Sequence, residues 1–199
     1  QEFGFTGTLY PVNPQGGNIF GLRIHPSINN IPGPVDLAHN SVPAKYVPAV
    51  LEDCLVKGVK GAVIVTAGFG ETGEQEGKRL EADVVRIARK GIRVIGPNCF
   101  GIHCPASGST LLRIEGYHPS RESGPVAFFS QSGNHSLDFI QQAKGNGIRC
   151  SKVISYGNAL DLNEADFLEY LTQDQETRVI GAYIEGVHDG KRFLRLSRE

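Results

Sequence analysis

The chain has 199 residues, of which 40% are hydrophobic, and a formal net charge of −1. This is enough for one ordinary domain or two small ones of globular composition, and the near-neutral balance gives no electrostatic case for nucleic acid or an anionic membrane as main partner. With no run of about 18 apolar residues, no charged-then-apolar leader and no lipidation signal, the expectation is a soluble, cytoplasmic protein.

The four cysteines, Cys54, Cys99, Cys104 and Cys150, are scattered and suggest neither a disulfide framework nor a zinc ribbon. Methionine is absent, and the string opens mid-phrase on QEFGFTGTLY, so it is expected to be incomplete at both ends.

Residues 8–12, TLYPV, read as a strand that Asn13 and Pro14 turn, and 35–40 as a second short strand after Pro32, Gly33 and Pro34. A helix follows from about Tyr46 to Lys57, with Pro48 tolerable in its first turn and Val47, Val50, Leu51, Cys54 and Leu55 on one face. Gly58 ends it. Residues 61–66, GAVIVT, are apolar throughout, as a strand covered on both faces must be. After the loop AGFGETGEQEG, a helix over about 74–90 buries Leu80, Val84, Ile87 and Ala88, Gly91 closes it, and 92–95 is the next strand. The alternation predicts an α/β fold with a parallel sheet and right-handed crossovers, a Rossmann-like domain. Its usual opening strand, glycine-rich turn and helix are not in the string, and EFGF reads as the tail of that helix.

From Asn98 to Ser123 no period is visible, and the stretch reads as a passage between two domains. The alternation then restarts: strand 125–129, helix 132–144, strand 151–155, helix 164–172, strand 178–184 and a helix from about Asp189. Asn163 with Asp166 three residues on reads as a capping box. Three strands are too few for a finished doubly wound sheet.

The segment GPVAFFSQSGNH, Gly124 to His135, carries the sharpest chemical signal. It reads as buried strand, tight turn and helix, with unpaired backbone N–H groups and the positive end of the helix dipole facing the turn. Ser130 and Ser132 would add hydroxyl donors to such an anion site, or would merely cap a helix. Glu185, at the end of strand 178–184, lies level with that turn if the strands are parallel. It could orient a histidine, or be a solvated acid. His135 could touch the anion or be a surface residue, and the other histidines show no metal or Ser-His-Asp spacing. YPVNP at Tyr10–Pro14 and TAGFGETG at Thr66–Gly73 read either as ligand loops or as plain connections. In GPNCFG, Asn98 could hydrogen-bond a ligand, and Cys99 is either reactive or buried. SYGN, Ser155–Asn158, again follows a strand, and Asp161 and Glu164 lead into the next helix.

Together YPVNP, Val42–Ala44 (VPA) with Val47–Pro48, KGVKGAVIVTAGFGE, GIRVIGPNCFG, GPVAFFSQSG, SYGNALDLNEADFLEYL and YIEGVHDGKRF resemble the nucleoside-diphosphate-forming acyl-CoA synthetases, nearly end to end. These are similar to the α subunit of succinyl-CoA synthetase. The resemblance implies a CoA-binding Rossmann-like domain lacking its first βα unit over 1–105, a linker over 106–123, and a partial, flavodoxin-like doubly wound ligase domain over 124–199. It implies interconversion of acyl-CoA, ADP and phosphate with carboxylic acid, CoA and ATP, through an acyl phosphate and a phosphohistidine. By analogy Val12, Asn13, Pro14, Val42, Pro43, Ala44, Ala67, Gly68 and Phe69 lie against coenzyme A, with Asn98 and Cys99 near its thiol end. Ser130, Ser132, Gly133 and Asn134 hold the phosphoryl group, and Glu185 steadies the phosphorylated histidine. That histidine falls beyond Glu199, and His135 does not match it. ATP or ADP with Mg²⁺ belongs to an ATP-grasp β-type subunit or domain, also outside the string, so this chain alone is not expected to turn over, and an oligomer is implied. Two other readings stand beside it: a catalytically silent CoA-sensing module of a protein acetyltransferase, and a generic dinucleotide-binding reductase, which lacks the fingerprint turn.

Overall fold

The computed structural model describes residues 4–111 and 119–198. Among these, the strands are β1 (Gly17–Ile19), β2 (Leu22–Ile24), β3 (Leu37–Asn40), β4 (Gly61–Ile64), β5 (Arg93–Ile95), β6 (Gly101–Cys104), β7 (Ser109–Thr110), β8 (Val126–Ser130), β9 (Cys150–Ser155) and β10 (Val179–Tyr183). The α-helices are α1 (Val47–Lys57), α2 (Gln75–Ala88), α3 (Gly133–Gly145), α4 (Glu164–Thr172) and α5 (Gly190–Leu196). No helix among the described residues is long and apolar enough to cross a membrane.

The first half is built on a parallel three-stranded sheet in the order β3-β4-β5. Helix α1 begins with Pro48 in its first turn, where no intrahelical N–H is needed, and stops at Gly58, whose φ of 82° lets its N–H reach back to Cys54 and Leu55. Helix α2 buries Gly77, Leu80, Val84, Ile87 and Ala88, a spacing that gives one continuous face. These faces and β4 enclose a core in which Leu51, Ile64, Phe69, Val84, Ile87 and Ile92 are wholly buried. Each such side chain contributes about 1.5–3 kcal/mol relative to exposure.

The expected strand over 8–12 does not form. Val12 makes only an isolated parallel bridge to His25, because Pro11 and Pro14 have no N–H to give a ladder. The ordered pairing there is instead the antiparallel hairpin β1–β2, with Ile19 opposite Leu22 and a two-residue turn at Phe20 (φ 49°) and Gly21 (φ 79°).

Among the described residues the second half is a five-stranded sheet in the order β10-β8-β9-β6-β7, corrected upward from the three strands expected. β8 and β9 are parallel, as are β8 and β10, whereas β6 joins β9 antiparallel. The passage read as aperiodic from Asn98 to Ser123 therefore contains two strands of the second sheet. Side chains of β8 alternate between two layers: Phe128 packs with Leu137, Ile140 and Phe139 of α3, and Ala127 and Phe129 pack with Phe167, Leu168 and Leu171 of α4. The capping box expected for α4 is present. Asn163 Oδ1 accepts the Ala165 N–H at 3.0 Å, and the Asp166 carboxylate accepts the Asn163 N–H at 3.0 Å.

Candidate functional site

Loops leaving the carboxyl ends of β3, β4, β5 and β9 meet along one edge, the usual place for a ligand in an open α/β sheet. The Asn40 side chain, at the end of β3, accepts the Val42 N–H at 3.1 Å, and the Thr66 hydroxyl after β4 donates to the Val42 carbonyl at 2.7 Å. Gly68 lies so close to Ala44 that an added Cβ would sit 3.4 Å from that of Ala44. Val42, Ala44 and Gly68 are thus gathered, with Pro43 and Ala67 exposed beside them. Val12, Asn13 and Pro14 are exposed and held by another route: the Asn13 N–H donates to the His25 carbonyl at 3.0 Å, and Tyr10 packs on the first core and edge-on against His25.

Asn98 adopts φ 55° and donates its N–H to the Thr66 carbonyl at 3.0 Å, so the β5 loop is fixed to the β4 loop. Cys99 is 5% exposed and its thiol donates to the Ile64 carbonyl at 3.3 Å. Burial pushes that thiol up to about 12, outweighing a backbone hydrogen bond from Gly101 that acts the other way. Of the two sequence alternatives for its side chain, the structure selects the buried one.

At the second sheet, the parallel register places Tyr183 opposite Ser130, so Glu185 and the Ser130–Ser132 turn leave the same edge. Gln131, which the sequence reading passed over, joins them: its Oε1 accepts the backbone N–H groups of Glu185 at 2.5 Å and Gly186 at 3.1 Å. Ser132 caps α3, accepting the His135 N–H at 3.4 Å, and its own hydroxyl proton stays available. Helix geometry leaves the N–H groups of Gly133 and Asn134 without intrahelical acceptors. Ser130 differs from the expectation. It is wholly buried and its hydroxyl donates to the Ser132 carbonyl at 2.7 Å, so it holds the turn and gives no proton to a ligand. His135 packs edge-on against Tyr183, with ring centroids 4.1 Å apart. Phe100 roofs the start of α3: a Cβ on Gly133 would meet its ring at 2.4 Å.

Glu164, Tyr156 and His188 lie near this edge in motifs the sequence singled out, but their burial and pairing were not anticipated there. Glu164 is wholly buried and accepts from the His188 N–H at 2.5 Å and ring Nδ1 at 3.0 Å. Tyr156 is also wholly buried, and among the described residues its hydroxyl has no hydrogen-bond partner. Burial first, then the charges of Glu164 and Glu185, push its phenol up, which keeps it a neutral donor. The histidine spacing gave no hint of the His188 pair, because its partner lies on another element. Among the described residues no cluster of His, Cys, Asp and Glu could hold a metal ion.

The sequence model of a family described as "CoA binding domain" matches residues 3–105, and that of a family described as "Succinyl-CoA ligase like flavodoxin domain" matches residues 123–199. The chain is 45% identical over 197 residues to acetate–CoA ligase [ADP-forming] I of Archaeoglobus fulgidus, covering 98% of this chain and 28% of that protein. It is 45% identical over 197 residues to acetate–CoA ligase [ADP-forming] II subunit alpha of Pyrococcus furiosus, covering 97% of this chain and 41% of that protein. The dinucleotide-forming acetyl-coenzyme A synthetase 1 of Ca. Korarchaeum cryptofilum, solved in complex with phosphate and ADP, superposes with a TM-score of 0.87 at 35% identity, covering 98% of this chain and 42% of that one. The chain spans less than half the length of each of these relatives.

Proposed function

Because the chain belongs to the family that joins a CoA-binding domain to a succinyl-CoA-ligase-like flavodoxin domain, we propose that it is the CoA-binding and phosphoryl-holding part of an ADP-forming acyl-CoA synthetase. In this reading the intact enzyme interconverts acyl-CoA, ADP and phosphate with a carboxylic acid, CoA and ATP. The nucleotide and Mg²⁺ are handled by a partner ATP-grasp subunit or domain. The division is the CoA part over 1–105 and the ligase part over 124–199 with 106–123 between, except that β6 and β7, at 101–104 and 109–110, pair into the sheet of the ligase part.

The observation that carries the reading is the register of β8 and β10, which sets the Ser132 cap and the first N–H groups of α3 beside Glu185, tied through Gln131. Backbone donors at a helix start suit a phosphoryl group, and a carboxylate beside them suits the ring N–H of a histidine that takes it. Ser132, Gly133 and Asn134 are the donors. Ser130 shapes their turn from beneath, and Glu185 orients. Val12, Asn13, Pro14, Pro43 and Ala67 are exposed and Val42, Ala44 and Gly68 half-buried, a largely apolar lining for coenzyme A; the expectation for Phe69 is corrected, since its side chain is wholly buried in the first core and only its backbone shapes the turn. Asn98 and the backbone of Cys99 lie between that edge and α3, where the thiol end belongs.

Calorimetry of the intact enzyme with coenzyme A, followed by mass analysis for phosphohistidine after mixing with ATP, tests the proposal. Binding together with a phosphorylated histidine supports it. Binding with no phosphorylation moves the protein to the CoA-sensing reading, and no binding removes both.

A further inference from the structure

The carboxylate of Glu71 is engaged by partners from both halves of the chain. Its Oε1 accepts the backbone N–H groups of Gly68 at 2.6 Å and Phe69 at 3.1 Å, and its Oε2 accepts Asn158 Nδ2 at 2.6 Å. Asn158 is itself anchored. Its N–H donates to the Pro97 carbonyl at 3.0 Å, its Oδ1 accepts Asn98 Nδ2 at 3.3 Å, and its Nδ2 also lies 3.2 Å from Glu81 Oε1. The backbones around this cluster are crowded: a Cβ on Gly157 would lie 2.1 Å from the Pro97 carbonyl oxygen, and one on Gly70 would lie 2.3 Å from Glu81 Oε2. Burial would push the Glu71 carboxyl up, but the hydrogen bonds from Gly68, Asn158 and Phe69 prevail and hold it below its usual value.

The N–H groups of Gly68 and Phe69 are therefore satisfied from inside, so a ligand on this turn meets a shape that Glu71 sets rather than open donors. We infer that Glu71 and Asn158 form a positioning latch that fixes the Ala67–Phe69 turn on the ligase half, so that coenzyme A lying on the turn is presented to the start of α3 in one orientation. This rests on the proposed CoA-binding role of the turn. The pairing has a definite polarity. A glutamine at 71 keeps an acceptor for the two backbone N–H groups but aims a donor NH₂ at the donor NH₂ of Asn158. An aspartate at 158 restores a donor–acceptor pair and the original total charge.

The test is calorimetric titration of coenzyme A into the intact enzyme as native protein, Glu71→Gln, Asn158→Asp and the double variant, with thermal melting of each followed by circular dichroism. Each single change is expected to weaken binding by at least about tenfold, and the double variant to return within about threefold of native. The aspartate alone faces the Glu71 carboxylate across the shorter contact, 2.6 Å, which is why it fails without its partner change; the longer contact with Glu81, 3.2 Å, stays in the double variant and keeps its recovery short of complete. Single variants that bind coenzyme A as the native protein does, whatever their melting temperature, overturn the latch, as does a double variant weaker than both singles. A native enzyme that binds no coenzyme A overturns the proposed function, and the latch with it.

Discussion

Glu164 lies entirely out of solvent, and both oxygens of its carboxylate are taken by one residue, His188, through its backbone N–H and its ring. The pairing pins the segment after β10 to the start of α4 and fixes the ring with Nδ1–H inward, leaving Nε2 to face outward. Burial would raise the Glu164 carboxyl, but hydrogen bonds from its own backbone and from His188 overcome it and hold it below 4.5. A depressed carboxylate stabilises the fold above its unfolded value and ceases to do so as pH falls through the folded one. Glu164→Gln is expected to cost about 2–3 kcal/mol at pH 7, since a buried charge-assisted pair is lost. Urea unfolding at pH 7 and pH 4 checks this, and the difference between native and variant should narrow at the lower pH.

His103 also costs stability as pH falls, over a higher window and through burial alone. It is 2% exposed, its Nδ1 lies 3.0 Å from the Thr110 hydroxyl, and burial lowers its ring from 6.5 to about 4. Between those values the unfolded chain takes up a proton that the folded one refuses, so stability falls as pH drops from 6.5 toward 4, by about 3 kcal/mol at most. Replacing His103 with Asn is expected to lower stability at neutral pH but flatten its slope across that window in denaturation curves.

Gly157 and Gly133 should respond differently to alanine. Gly157 has φ 54°, and a Cβ there meets two backbone carbonyl oxygens, of Pro97 at 2.1 Å and Asn98 at 2.3 Å. Backbone cannot give way cheaply, so Gly157→Ala is expected to cost about 3 kcal/mol or more. At Gly133 the obstacle is the Phe100 ring, which can swing aside, and the expected cost is about 1–2 kcal/mol. Parallel thermal melts rank the two, and the reverse order would contradict the geometry.

Thiol labelling should follow burial. Cys54 and Cys150 are pushed up to about 11 and Cys99 to about 12, chiefly by desolvation, whereas Cys104 is half-buried. Since the thiolate is the reactive form, mass mapping after brief alkylation at neutral pH is expected to find label on Cys104 first, and on the other three only in denaturant.

Ser130 and Ser132 separate stability from function. Ser132→Ala removes a cap whose bond is already long, 3.4 Å, so the expected stability loss is at the low end, about 0.5 kcal/mol. Its loss from the proposed phosphoryl turn should instead lower phosphohistidine yield in the intact enzyme, by about tenfold. Ser130→Ala removes a buried 2.7 Å bond to the Ser132 carbonyl and is expected to cost about 1–2 kcal/mol. A melting-temperature drop larger for Ser132→Ala than for Ser130→Ala would oppose this division.

Where local chemistry decides, the sequence was readable. The capping box at Asn163 and Asp166 set the start of α4, Gly58 set the end of α1, and the spacing of Leu80, Val84 and Ile87 set the buried face of α2. The β1–β2 hairpin was missed because its turn uses Phe20 at positive φ, where Asn or Asp is the usual signal. β6 was missed because Gly101, Ile102, His103 and Cys104 have no apolar alternation of their own. Their strand exists through pairing with Ser155, Ile154 and Val153. For the site, the parallel sheets made the strand ends legible, and with them the level of Glu185 and Ser130. The bonds Glu71–Asn158, Gln131–Glu185 and Glu164–His188 join residues 87, 54 and 24 positions apart, which no spacing rule anticipates.

The antiparallel placement of β6 has a practical consequence for dissecting this protein. Residues 101–104 arrive from the first half of the chain yet supply the neighbour that closes one side of β9. A fragment beginning at Gly124 would expose the naked rim of β9, with Val153 and Ile154 stripped of their cover, and such rims recruit strands from other molecules. Expressed alone, that piece should clump, whereas one cut upstream of Gly101 should stay dispersed.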